Sequence, residues 1–87
     1  MVSFFSKRFG KKVWITNHAR SSMDKRHISD AELEVIVESG EVKHKDVFDM
    51  WIFKHIEGRA DNLICAAVIN KDSIIVKTVM INWELEE

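Results

Sequence analysis

Proline is absent from this chain of 87 residues, glycine occurs three times and cysteine once. With so few backbone breakers there is no sign of a linker, a low-complexity tract or a second domain. The lone thiol, Cys65, excludes an internal disulfide and any cysteine-rich zinc site, since both need a second sulfur. Its apolar neighbours mark it as a core residue. No apolar run approaches the roughly 18 residues of a membrane-spanning helix, so no membrane association is expected. The short run Ser3-Phe4-Phe5-Ser6 precedes Lys7-Arg8, which puts the charges on the wrong side for a secretory signal. A cytoplasmic location is expected.

Several chemistries also lack their motifs. There is no glycine-rich phosphate loop, no serine elbow and no nicotinamide fingerprint. The histidines, His18, His27, His44 and His55, are never two or four residues apart, the spacings that strands and helices use to hold a metal. Neither a metal nor another cofactor is expected.

What is present is the composition of a soluble globule, 46% hydrophobic and 31% charged. A chain of this length forms one domain and buries only about 60–65% of the surface exposed by its unfolded form. The net charge of −1 conceals a split. Residues 1–30 carry seven Lys and Arg against two Asp, and residues 31–87 carry six against twelve acidic groups. A phosphate-bearing ligand would be drawn to the N-terminal third.

Residues 1–12 hold Phe4, Phe5, Phe9 and four cations in a stretch too short to show a period. They are expected to form a basic, aromatic arm that docks on the remaining domain, residues 13–87, or on a partner. Val13-Trp14-Ile15 reads as a short strand, after which Thr16 or Asn17 supplies the cap of a helix running to about Arg26. On that helix Ala19 and Met23 form an apolar stripe, and His18, Ser22 and Arg26, also four apart, form a polar one beside it. Ser29-Asp30-Ala31-Glu32 is a capping box opening a second helix over about 30–39. Leu33, Ile36 and Val37 face its core, and Gly40 stands where a left-handed cap belongs.

Beyond Gly40 the pattern becomes extended. Glu41–Lys45 reads as a charged edge strand. Strands follow at Phe48–Ile56, Leu63–Ile69 and Ile74–Trp83, joined by turns at Gly58–Asn62 and Asn70–Ser73. The expected fold is α+β, with two N-terminal helices packed on an antiparallel four-stranded meander. Strict alternation puts Met50, Ile52, Lys54, Cys65 and Thr78 on one sheet face, with Lys54, Cys65 and Thr78 in a single row. The other face holds Trp51, Phe53, Ile64, Ala66, Val68 and Trp83. Both faces are apolar and two helices cover one, so the arm or a partner chain is expected over part of the second.

The candidate chemistry lies on the first helix. His18 in its first turn is placed to serve as a base or to bind an anion gathered at the helix terminus. Arg26, two turns on, has the fork geometry to hold a phosphate, while Arg20 and Lys25 add attraction without fixed geometry.

The run Ile15-Thr16-Asn17-His18-Ala19-Arg20, then Arg26-His27-Ile28-Ser29-Asp30-Ala31-Glu32, then Gly40-Glu41-Val42 and the closing Ile75-Val76-Lys77-Thr78-Val79 resemble a bacterial family, domain of unknown function 4258. That family is similar to the RelE-like toxins and the wider barnase, EndoU, colicin D and RelE fold group. The resemblance implies metal-independent RNA cleavage, in which a base activates the ribose 2′-hydroxyl, cations stabilise the charged phosphorane and an acid protonates the leaving 5′-oxygen. His18, Arg26 and Thr78 are the positions that match as catalytic residues. Arg20, Lys25 and Lys54 are then the expected RNA contacts. The chain departs from the toxins in its slightly acidic balance, and it carries His27 where the family commonly has glycine.

Two functions follow. One is a toxin-type ribonuclease neutralised by an antitoxin that covers the basic face or the bare sheet face. The other is a non-catalytic interaction module of the same fold, which uses its second apolar face to bind a protein or a second copy of itself.

Overall fold

A computed structural model describes residues 2–59 and 63–83, with backbone alone at residues 2 and 3. The chain forms β1 (Val2–Ser6), β2 (Lys11–Ile15), α1 (Asn17–Lys25), α2 (Asp30–Ser39), β3 (Glu41–His44), β4 (Asp49–Lys54), β5 (Ile64–Asn70) and β6 (Ile74–Met80). The strands make one sheet in the order β1-β2-β6-β5-β4-β3.

The antiparallel meander is present as β3 to β6, with β3 at the edge. It is not the whole sheet. β2 lies parallel to β6, and β1 pairs antiparallel with β2, so the expected four antiparallel strands become six in a mixed sheet. The expected arm at residues 1–12 runs largely as β1 and the turn into β2. Gly10 takes a left-handed backbone in that turn (φ 65). The turn is fastened to the end of α2 by Glu38, whose carboxylate accepts from Ser6 Oγ at 3.2 Å and from the amides of Lys7 and Arg8 at 2.8 and 3.0 Å. Phe4 and Phe9 pack against the core, while Phe5 is 57% exposed.

Both helices begin where side-chain caps allow. Thr16 is the cap of α1: its Oγ1 accepts from the Ala19 amide at 3.0 Å and donates to the Lys77 carbonyl at 3.1 Å. One residue thus starts the helix and fixes it to β6. The capping box of α2 is complete, with Ser29 Oγ accepting from the Glu32 amide and Glu32 Oε1 accepting from the Ser29 amide. Gly40 does not take the expected left-handed conformation; its φ is −73 and its ψ 164. Closeness requires glycine there, because a Cβ would lie 2.5 Å from the Ile36 carbonyl oxygen and 2.9 Å from that of Phe53.

The core lies between the helices and one sheet face. Ala19, Met23, Leu33, Ile36 and Val37 meet Ile52, Ile64, Ala66, Val68, Val76 and Val79. Two shifts separate this arrangement from strict alternation. β4 pairs with β5 one residue from the expected register, so Lys54 faces Ile64, and Phe53 faces Cys65. β6 carries a bulge, since Val68 pairs with Val76 and Ala67 with Thr78, leaving Lys77 as the extra residue. A bulge reverses the alternation beyond it, so Val76 and Val79, three apart, both enter the core. The expected row of Lys54, Cys65 and Thr78 does not form. On the helix-free face Trp83 folds over Phe53 and Trp51, with ring centroids 4.8 and 5.6 Å apart, and Trp14 stays 37% exposed. The turn expected at Gly58–Asn62 lies partly outside the described residues.

Candidate functional site

β2 reaches β6 only as far as the pair Ile15–Val76, and α1 then runs beside the C-terminal half of β6. This follows from the Thr16 tie to Lys77 and from the approach of Ser22 Oγ to Thr78 Oγ1 at 3.3 Å. The stripe of His18, Ser22 and Arg26 is therefore carried along β6. His18 is exposed in the first turn, Ser22 is 7% exposed in the middle, and Arg26 closes the helix as its C-cap. Eight residues of helix separate His18 from Arg26 by a rise of about 12 Å. Ser22 and Thr78 meet directly; His18 and Arg26 do not.

The turn after Arg26 is a Schellman motif, in which the Ile28 amide donates to the Met23 carbonyl at 2.9 Å and the His27 amide to that of Asp24 at 3.4 Å. His27 occupies its left-handed position (φ 54). Arg59 secures the turn from outside. Its Nη2 donates to the Arg26 carbonyl at 3.0 Å, and its Nη1 to the His27 carbonyl at 2.9 Å and to Glu32 Oε2 at 3.2 Å. The Glu32 carboxyl is held below its ordinary value, first by the Ser29 amide and then by Arg59.

Arg26 itself is half-buried, and its Nε is buried with no hydrogen-bond partner among the described residues. Buried polar groups are nearly always paired, and an unpaired one is costly. The side chain borders a cleft of about 690 Å³ whose walls include Lys43, Trp51, Asn82 and Trp83. Lys43 and Lys45 hold their ammonium groups 5.8 and 5.9 Å from the Trp51 ring centre. Cations and aromatic rings are thus interleaved, which suits a phosphate-bearing aromatic ligand.

The other expected contacts are dispersed. Arg20 is ion-paired with Asp30, and that hydrogen bond raises its pKa above the ordinary value. Lys25 is exposed in the last turn of α1. Lys54 borders a separate cleft with Val35 and Glu57. Sequence reading did not single out Lys43, Trp51, Trp83 or Arg59 as site residues. The shared face of Trp51 and Trp83 was a signal, but their nearness to Arg26 depends on how α1 lies along β6. Burial pushes the Cys65 thiol up to about 12, which leaves it an inert packing group. Among the described residues no three His, Cys, Asp or Glu side chains cluster as metal ligands, and no helix is long and apolar enough to cross a membrane.

These features define a small α+β domain with two helices on a six-stranded mixed sheet and a basic, aromatic cleft at the end of its first helix. The chain belongs to the family described as Domain of unknown function (DUF4258), whose model matches residues 15–81. No curated protein and no solved structure matches it.

Proposed function

We propose that this domain is a metal-independent ribonuclease of the toxin type that acts on RNA lying along the His18–Ser22–Arg26 stripe. The observation that carries the reading is the guanidinium of half-buried Arg26 beside a cleft shared with Lys43 and two tryptophans. A phosphate oxygen is the partner such a group suits best, and a guanidinium so placed stabilises the extra negative charge of a phosphorane. His18, exposed one turn before Ser22, takes the proton of the ribose 2′-hydroxyl. That oxygen attacks phosphorus to form a 2′,3′-cyclic phosphate, the bond from phosphorus to the 5′-oxygen breaks, and the leaving 5′-oxygen takes its proton from solvent water. Thr78, whose hydroxyl meets Ser22 midway along the stripe, orients the phosphate. His18 and Arg26 do not touch, and in this reading their side chains reach the one scissile linkage from the two ends of the stripe. An antitoxin that neutralises the domain would cover this basic stripe.

The test is inducible expression of the wild type beside His18→Ala and Arg26→Ala, with growth followed and total RNA mapped for new ends. Arrest relieved by both substitutions supports the reading. Unimpaired growth with intact RNA, while folded protein accumulates, refutes it.

A second reading, a protein-interaction module, is favoured by Phe5 and Trp14, which stay exposed on the helix-free side of the sheet. It predicts a dimer or a captured partner that Trp14→Ser disrupts, measured on a sizing column. A monomer at every concentration, in the absence of any bound partner, counts against it.

A further inference from the structure

We propose that the cleft beside Arg26 is a subsite for one unpaired nucleobase, stacked on Trp83 and flanked by phosphates held by Arg26 and Lys43. The subsite rests on the RNA reading above, but it requires binding alone and not cleavage.

Three observations support it. Asn82 adopts a left-handed backbone (φ 52) at the end of β6, and the Trp83 amide donates to the Leu63 carbonyl at 3.0 Å. The indole is thereby held by the fold rather than left to a free tail. Phe53 and Trp51 support it from the sheet, yet Trp83 remains partly exposed where it borders the cleft. A partly exposed, rigidly supported indole is what a stacked base requires, because little side-chain entropy remains to be lost. Finally, the charged groups bordering the cleft among the described residues are Arg26 and Lys43, both cationic. An aromatic surface beside these two cations suits a ligand that is planar and anionic.

Duplex RNA does not meet this requirement, since its bases are stacked and paired. The class of ligand is therefore single-stranded RNA or a free nucleotide, which share the base and the phosphate. An acidic peptide would satisfy the cations and leave the indole unused.

The experiment measures anisotropy of a labelled short RNA strand whose 2′-hydroxyls are methylated. Such a strand cannot be cut by 2′-hydroxyl attack, so a failure of catalysis does not affect the result. Wild-type protein is expected to bind the strand, and Trp83→Ala to weaken it by about tenfold or more. Trp83→Phe should retain most of the affinity, and Lys43→Ala should reduce the salt dependence. Trp14→Phe serves as the control outside the cleft. A strand with an abasic position and a duplex of the same sequence should each bind more weakly, and both use the unaltered protein, so the result does not depend on whether Trp83→Ala folds. Competition by AMP supports the base subsite in either form: weak competition assigns it to RNA, and competition equal to the strand's own affinity assigns it to a free nucleotide. The proposal is overturned if the strand does not bind, if abasic or duplex RNA binds equally well, if folded Trp83→Ala keeps full affinity, or if an acidic peptide of matched charge binds more tightly.

Discussion

Arg59 Nη2 donates to the backbone carbonyl of Arg26 at 3.0 Å, so one arginine holds the main chain from which the other reaches into the cleft. The same guanidinium bonds the His27 carbonyl and Glu32, which joins the end of α1, the interhelical turn and the start of α2. Arg59→Ala is expected to lower stability by about 2 kcal/mol, since bonds from a charged donor are the stronger kind. Lysine at the same position lacks the fork and should restore less than half. Urea unfolding midpoints measure both, and RNA affinity should fall with them because Arg26 loses its support.

Acid should weaken the same junction. The folded-state pKa of Glu32 lies below its ordinary value of 4.5, so its contribution is whole above that value and is lost as pH falls through the lower, folded pKa. Glu32→Gln is expected to be less stable than the wild type at neutral pH. The two should converge in acid, seen as a flatter dependence of the unfolding midpoint on pH for the variant.

His27 and Gly40 make opposite predictions about glycine. His27 sits at φ 54, where a side chain costs about 1–2 kcal/mol, partly offset by the greater freedom of glycine in the unfolded chain. His27→Gly should therefore stabilise by about 0.5–1 kcal/mol. Gly40→Ala should destabilise by about 2 kcal/mol through overpacking, because its Cβ would press on two backbone carbonyls and Ile52. Thermal melts of the two variants should move in opposite directions.

Ser22 and Thr78 form a direct side-chain contact between the stripe on α1 and the last strand. Ser22→Ala and Thr78→Val should each cost about 1–2 kcal/mol, because each leaves a partly or fully buried hydroxyl alone. The double variant should cost less than the sum, with a coupling of about 1 kcal/mol. Strict additivity would mean that the two hydroxyls do not interact in solution.

Much of the local structure was readable from residue order. The capping box at Ser29 and Glu32, the apolar stripe of α2, the pairing of Ala19 with Met23 and the edge position of β3 all rest on contacts within a few residues or on charge pattern. The hairpin of β1 and β2 was not readable, because five-residue strands beside a basic turn show no decisive period. Nor was the row at Thr78. A single extra residue in β6 and a one-residue shift between β4 and β5 change the partners and faces assigned by alternation without leaving a mark in composition. Arg59 was read only as part of a turn, since its partners Arg26, His27 and Glu32 are about thirty residues away in the chain.

Sequence by itself determined the two helices and the capping box of the second, the basic N-terminal third, and the alignment of His18, Ser22 and Arg26, because a helix places residues four apart on one face whatever surrounds it. Only the tertiary structure decided what that stripe meets. The parallel pairing of β2 with β6 ends at Ile15, Thr16 fastens α1 beside the remainder of β6, and Arg26 at the helix end borders the cleft that Trp51 and Trp83 also line. The β2–β6 pairing and the Thr16–Lys77 bond join segments about sixty residues apart, and strand pairing across such a distance is selected by the packing of the whole core rather than by the pattern of either segment.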